Sequence, residues 1–311
     1  MNKRVAVPGA GGHTGTFVQA ELRSRGLTPI PCDRNTDLDQ AFRQADAVIN
    51  CAGPFAATAR PTIEAAIRAG VPYLDVTAEV EVIGETLTDF ADAPIPIVPA
   101  VAFYGGLGDL LATALLGDGS GAERLLIAYT LSDWHPTRGT RATGLVSAQR
   151  RGGRRIVWAG GRWVFRDGDA PVTTWAFPDT ERTVVGEFTM ADSVTVPAHL
   201  TIPDISTFMT MNAVADLRDP DTGAPVAADE SGRSAQTFLV DVIAETGGTR
   251  RRMIASGRDI YAITAPLVVE AATRILDGTG AAPGAIPAGA RFDAEDFLIS
   301  IGPQRLVLDR Q

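Results

Sequence analysis

Apolar positions change their spacing about one third of the way along the chain. Up to residue 118, short apolar runs alternate with longer amphipathic stretches. "KRVAVP", "LTPIPC", "AVINCA", "YLDV" and "IPIVPAVAF" read as five buried strands. Between them the spacing predicts a helix from His13 to Arg25, with Phe17, Val18 and Leu22 on one side and Gly26 as its stop. A Thr36-Asp37-Leu38-Asp39 capping box opens a short helix to Ala45. Further helices are expected from Pro61 to Ala69 ahead of Gly70, from the end of "YLDV" to about Asp92, and from Leu107 to Leu116. Strands that recur with helices between them give right-handed crossovers, and so a parallel sheet.

Beyond residue 120 hairpin signals take over. "RIVWAGGRWVF" is a strand pair around Gly160-Gly161, and "FLVDVIAETGGTRRRMIAS" another around Gly247-Gly248. "SVTVPAHLTI" alternates, with Val194, Val196, Ala198, Leu200 and Ile202 on one face and Ser193, Thr195, His199 and Thr201 on the other. A helix is expected at 140–150 and a strong one from Thr264 to Leu276. "GTGAAPGAIPAGA" and residues 219–234 read as loops. The fold class expected is α/β: a doubly wound parallel sheet over 1–118, then an α+β unit on a mostly antiparallel sheet over 119–311. The 264–276 helix is placed to pack back on the first unit.

Composition narrows the function. Of 311 residues, 45% are apolar and 21% charged, which suits a packed core rather than disorder. The net charge of -9 gives no electrostatic basis for nucleic-acid binding; the arginine clusters at 150–155 and 250–252 read as solvated strand ends. No apolar run reaches the roughly 18–20 residues of a membrane span. The apolar stretch of "MNKRVAVPGAGG" is too short for a signal peptide. Two cysteines, Cys32 and Cys51, allow no disulfide framework, and no metal-ligand spacing occurs. A reducing cytoplasm is the expected compartment.

The candidate chemistry begins at "AVPGAGGHTG". Gly9, Gly12 and Gly15 lie between the first strand and the first helix, at the carboxyl end of the sheet where such folds bind ligands. The first glycine permits the tight turn, the second lets a pyrophosphate approach the backbone, and the third lets helix and strand pack closely. The helix start, with His13 and Thr14, then offers free N–H groups and a positive dipole end to phosphate. Asp33, at the tip of the second strand, is placed to accept hydrogen bonds from the ribose 2′-hydroxyl of NAD. Arg34 beside it would instead hold the 2′-phosphate of NADP. The pair leaves the choice between NAD and NADP open, with NAD(H) slightly favoured.

These residues resemble the saccharopine dehydrogenase-like superfamily, in particular its branch of trans-acting enoyl reductases and saccharopine dehydrogenase-like oxidoreductases. "GAGGHTG" is similar to that family's G-A-T-G-x-T-G loop, and "VINCAGPF" to its third-strand signature. "AAIRAGVPYLDVTAE", "PAVAFYGGLGDLLA", "RGTRATGLVSA" and "DIYAITAPLVVEAATRIL" resemble later family segments in the same order. Two departures stand near the expected substrate position: Phe103-Tyr104-Gly105 replaces an Asp-Pro or Asp-Ser stretch, and Arg138 replaces the first of two glycines before Thr140. The resemblance implies an N-terminal Rossmann domain and a second domain that covers the nicotinamide and often dimerises. It implies hydride transfer to or from a C=N bond of an amino-acid-derived imine, or a C=C bond of an enoyl group, on a small or carrier-bound substrate.

With that fold, Ala52, Gly53, Pro54 and Phe55 form a small rigid loop against the cofactor. Asp75 and Glu79 flank Thr77 at the tip of the fourth strand; either a carboxylate orients substrate there, or Thr77 and Glu79 cap the next helix. Tyr104 and His135 are candidate proton donors, and Arg138, Thr140 and His199 candidate substrate contacts. His13 is a cofactor contact and Tyr261 a core residue. The alternative from a different class is a dinucleotide-binding sensor without catalysis. The uncharged polar face of "SVTVPAHLTI" suits a cleft wall or the contact of a homodimer.

Overall fold

In the computed structural model, which describes residues 2–117 and 121–311, the first third of the chain folds as alternating strands and helices. In chain order these are β1 (Arg4–Pro8), α1 (His13–Ser24), β2 (Thr28–Cys32), α2 (Leu38–Phe42), β3 (Ala47–Asn50), α3 (Phe55–Ala69), β4 (Tyr73–Asp75), α4 (Val80–Asp89), β5 (Pro96–Val98) and α5 (Gly108–Leu116). The near-continuous apolar runs of β1, β3 and β4 are buried on both faces, as parallel strands require. All pairings are parallel and the order, with a late strand β14 (Gly284–Ala285) at one edge, is β14-β5-β4-β3-β1-β2. The order reverses at β1, which has β2 on one side and β3 on the other. The carboxyl ends of these three strands therefore open into a crevice.

The sixth strand arrives late. After β6 (Arg124–Leu131), α6 (Arg138–Arg150), β7 (Arg155–Ala159), β8 (Arg162–Arg166), β9 (Val172–Ala176) and β10 (Glu181–Gly186) come α7 (Asp192–Thr195), β11 (Asp204–Thr210), α8 (Met211–Arg218), β12 (Thr237–Thr246) and β13 (Thr249–Arg258). The chain then runs through α9 (Ile260–Leu276), β14 (Gly284–Ala285), α10 (Ala288–Arg291), α11 (Ala294–Ile301) and β15 (Leu306–Arg310). β14 joins the parallel sheet beside β5, in a stretch expected to be loop. Too short and glycine-rich to show a period, it is held by Arg291, whose guanidinium donates to the carbonyls of Gly280 and Ala282 at 2.6 Å and of Gly284 at 2.7 Å.

The second sheet runs β15-β13-β12-β6-β11-β10-β9, with the β7–β8 hairpin attached at β11. Only β6–β11 is parallel. It curls on itself. Trp175 Nε1 on β9 donates to Asp241 on β12 at 2.8 Å, and Arg252 on β13 reaches the Ala176 carbonyl at 2.9 Å. Between the sheets lies α5, apolar but for Asp109 and Thr113 and buried except at Thr113. α9 packs along α1. Arg25 of α1 pairs with Glu270 of α9, and Glu21 pairs with Arg305 at 2.7 Å.

Three expected elements differ. "SVTVPAHLTI" is not a strand: residues 192–195 are α-helical and 196–198 a 3-10 turn, with Ser193 and Thr195 as buried as Val194 and Val196. Pro197 denies a ladder its N–H, and the alternation has no wet face behind it. The sheet face expected to form a cleft wall or dimer contact is thus absent. α3 begins at Phe55, six residues before Pro61, because a remote carboxylate caps it there. α9 begins at Ile260, where Asp259 accepts from the N–H groups of Tyr261 and Ala262.

Candidate functional site

The glycine loop forms the floor of the crevice. Gly9 has φ +78°, and a Cβ there would lie 2.6 Å from the backbone of Cys51 and Ala52. A Cβ on Gly15 would lie 2.3 Å from the Gly9 oxygen. The loop, the first turn of α1 and the β3 tip are therefore in backbone contact. Gly12 differs: its Cβ would meet only the Gly9 oxygen, at 3.2 Å. No side chain caps α1, so its first turn presents N–H groups to the opening. Gly9, Gly12, His13 and Thr14 line a cleft of about 1420 Å³; Gly15 packs behind it.

At one end of the cleft stand Asp33 and Arg34. Asp33 Oδ1 accepts from Asn35 N at 2.8 Å and from Thr36 Oγ1 at 3.1 Å, and these bonds hold its carboxyl below the usual carboxylate range. Oδ2 is uncommitted. Arg34 is exposed and makes no hydrogen bond or ion pair among the described residues.

The middle of the cleft is bounded by Ala52, Gly53 and Phe55; Pro54 sits behind them. This loop is braced by Glu79, whose carboxylate accepts from Phe55 N at 2.6 Å and Ala56 N at 2.9 Å. Glu79 is thus a cap, but of α3, not of the helix it precedes. Asp75 is fully buried and does not reach the cleft. It accepts from Thr77 N at 3.0 Å, Ala100 N at 2.8 Å and Tyr73 Oη at 3.0 Å, which ties β4 to the chain leaving β5. Burial pushes its carboxyl up to about 6.

The far wall comes from both sheets. Phe103 and Tyr104 lie in an irregular turn over 103–107, facing Trp134, the start of α6 (Thr137 to Thr140), Phe188 to Ala191, and Tyr261. The Tyr261 hydroxyl gathers this wall. It accepts from Trp134 Nε1 at 3.3 Å and Thr137 N at 3.2 Å, and shares a proton with Thr140 Oγ1 at 3.0 Å. Thr137 caps α6 through Thr140 N at 3.0 Å. His13 stands between Phe17 and Tyr261 with edge-to-face rings at 5.2 and 5.3 Å. Burial lowers its pKa, and its Nε2 is buried without a partner. Arg138 lines the cleft without an ion pair, whereas Arg141 is committed to the carbonyls of Asp219 and Thr222 at 2.9 and 2.8 Å.

Two expected site residues stand elsewhere. His135 is exposed, with Nδ1 3.2 Å from the Gly223 oxygen, and pins the 219–236 segment rather than entering the cleft. His199, just after the 3-10 turn that replaced the expected strand, is directed to Asp109 Oδ1 at 2.6 Å, away from the cleft. Sequence reasoning missed the 188–191 wall and the role of the Tyr261 hydroxyl. Only the polar cluster Thr137–Thr140 beside a tryptophan hinted at the second.

Comparison with known proteins follows this geometry. Residues 13–94 match the sequence model of the saccharopine dehydrogenase NADP binding domain. Apo histidine-tagged saccharopine dehydrogenase (L-Glu forming) from Saccharomyces cerevisiae superposes over 100% of both chains, with a TM-score of 0.62 at 13% identity. The fold is saccharopine dehydrogenase-like. C. glutamicum DAP dehydrogenase in complex with DAP is similar over 92% of this chain and 93% of its own, at 13% identity and a TM-score of 0.49. Dipicolinate-bound dihydrodipicolinate reductase from Paenisporosarcina sp. TG-14 covers 92% and 98%, at 11% identity and a TM-score of 0.42. No curated protein sequence matches. The domain match and the saccharopine dehydrogenase-like fold together support an NAD(P)-dependent oxidoreductase. Among the described residues no helix is long and apolar enough to cross a membrane.

Proposed function

We propose that this protein reduces or oxidises a C=N or C=C bond of a small or carrier-bound substrate at the Tyr104 end of the cleft. The observation that carries the reading is continuity: one cleft runs from the glycine loop and the uncapped start of α1 to Tyr104, Trp134 and Thr140. The residues fit a dinucleotide. The Gly9–Gly15 backbone leaves room for phosphate, Gly12 presents no side chain, and the first N–H groups of α1 supply donors. A bound nicotinamide supplies or accepts the hydride. Ala52, Gly53, Phe55, Tyr104 and Trp134, which line the cleft, would hold it. Arg138 and the α6 start hold an anionic group of the substrate, and Thr140 donates or accepts a hydrogen bond beside it.

The preferred cofactor in this reading is NAD(H), because the ionised Asp33 has a free oxygen for a ribose hydroxyl and repels a 2′-phosphate. Asp33→Ala is expected to narrow or reverse the preference by about tenfold, a change of about 1.4 kcal/mol. Fluorescence titration with NADH and NADPH checks it. A wild type that binds NADPH at least about tenfold tighter assigns the selection to Arg34 instead.

The activity is tested by following reduced-nicotinamide absorbance with a panel of imines of amino acids and 2-enoyl thioesters. Oxidation above background with one class supports the enzyme. Saturable cofactor binding with no turnover of either class favours a non-catalytic sensor on the same fold.

A further inference from the structure

Tyr104 is half-buried in the cleft wall, yet its hydroxyl is turned inward, out of solvent, and has no hydrogen-bond partner among the described residues. A buried hydroxyl left unpaired is costly, so its surroundings are informative. Its ring lies 5.4 Å from that of Tyr129, a fully buried residue of β6. Tyr129 Oη donates to Asp192 Oδ1 at 2.9 Å. Asp192 opens α7, is fully buried, and forms no ion pair; its Oδ2 is also without a partner. The site is built around this carboxyl. A Cβ on Gly108 would fall 1.8 Å from Asp192 Oδ1 and 2.7 Å from Tyr129 Oη. The next residue, Asp109, is buried too. It accepts from Gly289 N at 2.7 Å and meets His199 Nε2 at 2.6 Å, and the His199 side chain retains 13% exposure.

We propose that Asp192 is an internal carboxylic acid that serves the cleft through Tyr129 and Tyr104. The inference rests on the oxidoreductase reading above. Tyr104 is the group at the cleft; Asp192 and Tyr129 act through it. In the reductive direction the substrate gains a hydride at one atom of the double bond and a proton at the other. The proton leaves the Tyr104 hydroxyl as it turns out into the cleft, and the electron pair of that O–H bond stays on the phenolate. On turning back inward the phenolate recovers a proton from the Tyr129 hydroxyl, which takes one from the Asp192 carboxyl. The resulting carboxylate is reprotonated from solvent. The direction of each shift agrees. Burial first, with the neighbouring Asp109 adding, pushes the Asp192 carboxyl up to about 7, against the hydrogen bond from Tyr129. Burial raises Tyr104 and Tyr129 further above their ordinary range, so both stay protonated donors.

Infrared spectroscopy of the cofactor-free protein across pH reads the acid directly. A protonated carboxyl has a C=O stretch separate from ionised carboxylates. Beside the band of buried Asp75, which titrates near pH 6, a second band is expected to titrate near pH 7 and to be missing in Asp192→Asn. If Asp192→Asn does not fold, Tyr129→Phe replaces it. That variant removes a bond that favours the carboxylate, so it should move the midpoint upward. Saturating NADH or NADPH should shift the band in the wild type and not in Tyr104→Phe. Absence at pH 6 of a protonated-carboxyl band that Asp192→Asn removes, or such a band unmoved by both Tyr129→Phe and dinucleotide, overturns the proposal. A band that titrates as expected in a protein that binds neither NADH nor NADPH overturns the oxidoreductase reading, and the relay with it.

Discussion

Gly15→Ala is expected to destabilise the protein by about 3 kcal/mol, the upper end for overpacking a rigid contact. The added methyl would lie 2.3 Å from the Gly9 oxygen and 3.0 Å from Ala10 Cα, all backbone atoms that no rotamer change can move. α1 must therefore slide off the strand tip, which spreads the loop that Gly9 closes against Cys51 and Ala52. The helix gains a little from alanine, up to about 1 kcal/mol, which does not offset the clash. Gly11→Ala is the internal control. Nothing lies within 4 Å of that added methyl and the backbone is not left-handed there. Its effect should stay within about 0.5 kcal/mol. Chemical denaturation of the two variants side by side checks both, and equal losses would mean the loop does not pack as described.

Glu79→Ala is expected to cost about 3 kcal/mol and to weaken dinucleotide binding together. The carboxylate makes two charge-assisted bonds, to Phe55 N and Ala56 N, each worth about 1.5–3 kcal/mol net. Its loss uncaps the buried start of α3 and releases the Ala52–Phe55 loop that borders the cleft. Glu79→Gln keeps one acceptor oxygen, so it should lose roughly half as much. A thermal melt and a cofactor titration on both variants check the coupling. Lost stability with unchanged cofactor affinity would show that the loop does not depend on this brace.

The parallel sheet was legible because buried strands and amphipathic helices carry different periods, and each helix end has local punctuation. "AVINCA" and "YLDV" show the first, and Gly26 and Gly70 the second. The tight glycine loop between β1 and α1 was legible for the same local reason, since Gly9, Gly12 and Gly15 act within a few residues of each other. What failed depends on partners remote in sequence. α3 starts at Phe55 because Glu79, 24 positions later, caps it. "SVTVPAHLTI" mimics a strand because Ser193 and Thr195 read as polar; both are buried against the 103–107 turn and neighbouring helices, where polarity marks no surface. His135 was singled out for its loop beside Trp134 and Arg138, and His199 for the polar face of a strand that does not form; the fold assigns them to Gly223 and Asp109. The carboxyl of Asp192 meets Tyr129, 63 positions away, and no local pattern encodes that meeting.

The central claim is that the cleft above the glycine loop binds a nicotinamide dinucleotide, and Gly12→Val tests it most directly. The backbone of Gly12 is extended, at φ -78° and ψ 165°, a conformation valine adopts readily, and the new Cβ meets only one atom, at 3.2 Å. The variant should therefore melt close to the wild type while its methyl groups occupy the space left for phosphate. Titration of both proteins with NADH and NADPH, followed by nicotinamide fluorescence, should give saturable binding in the wild type and a loss of at least about 100-fold, or about 2.7 kcal/mol, in the folded variant. Equal affinity in the two proteins would place the dinucleotide elsewhere and contradict the account.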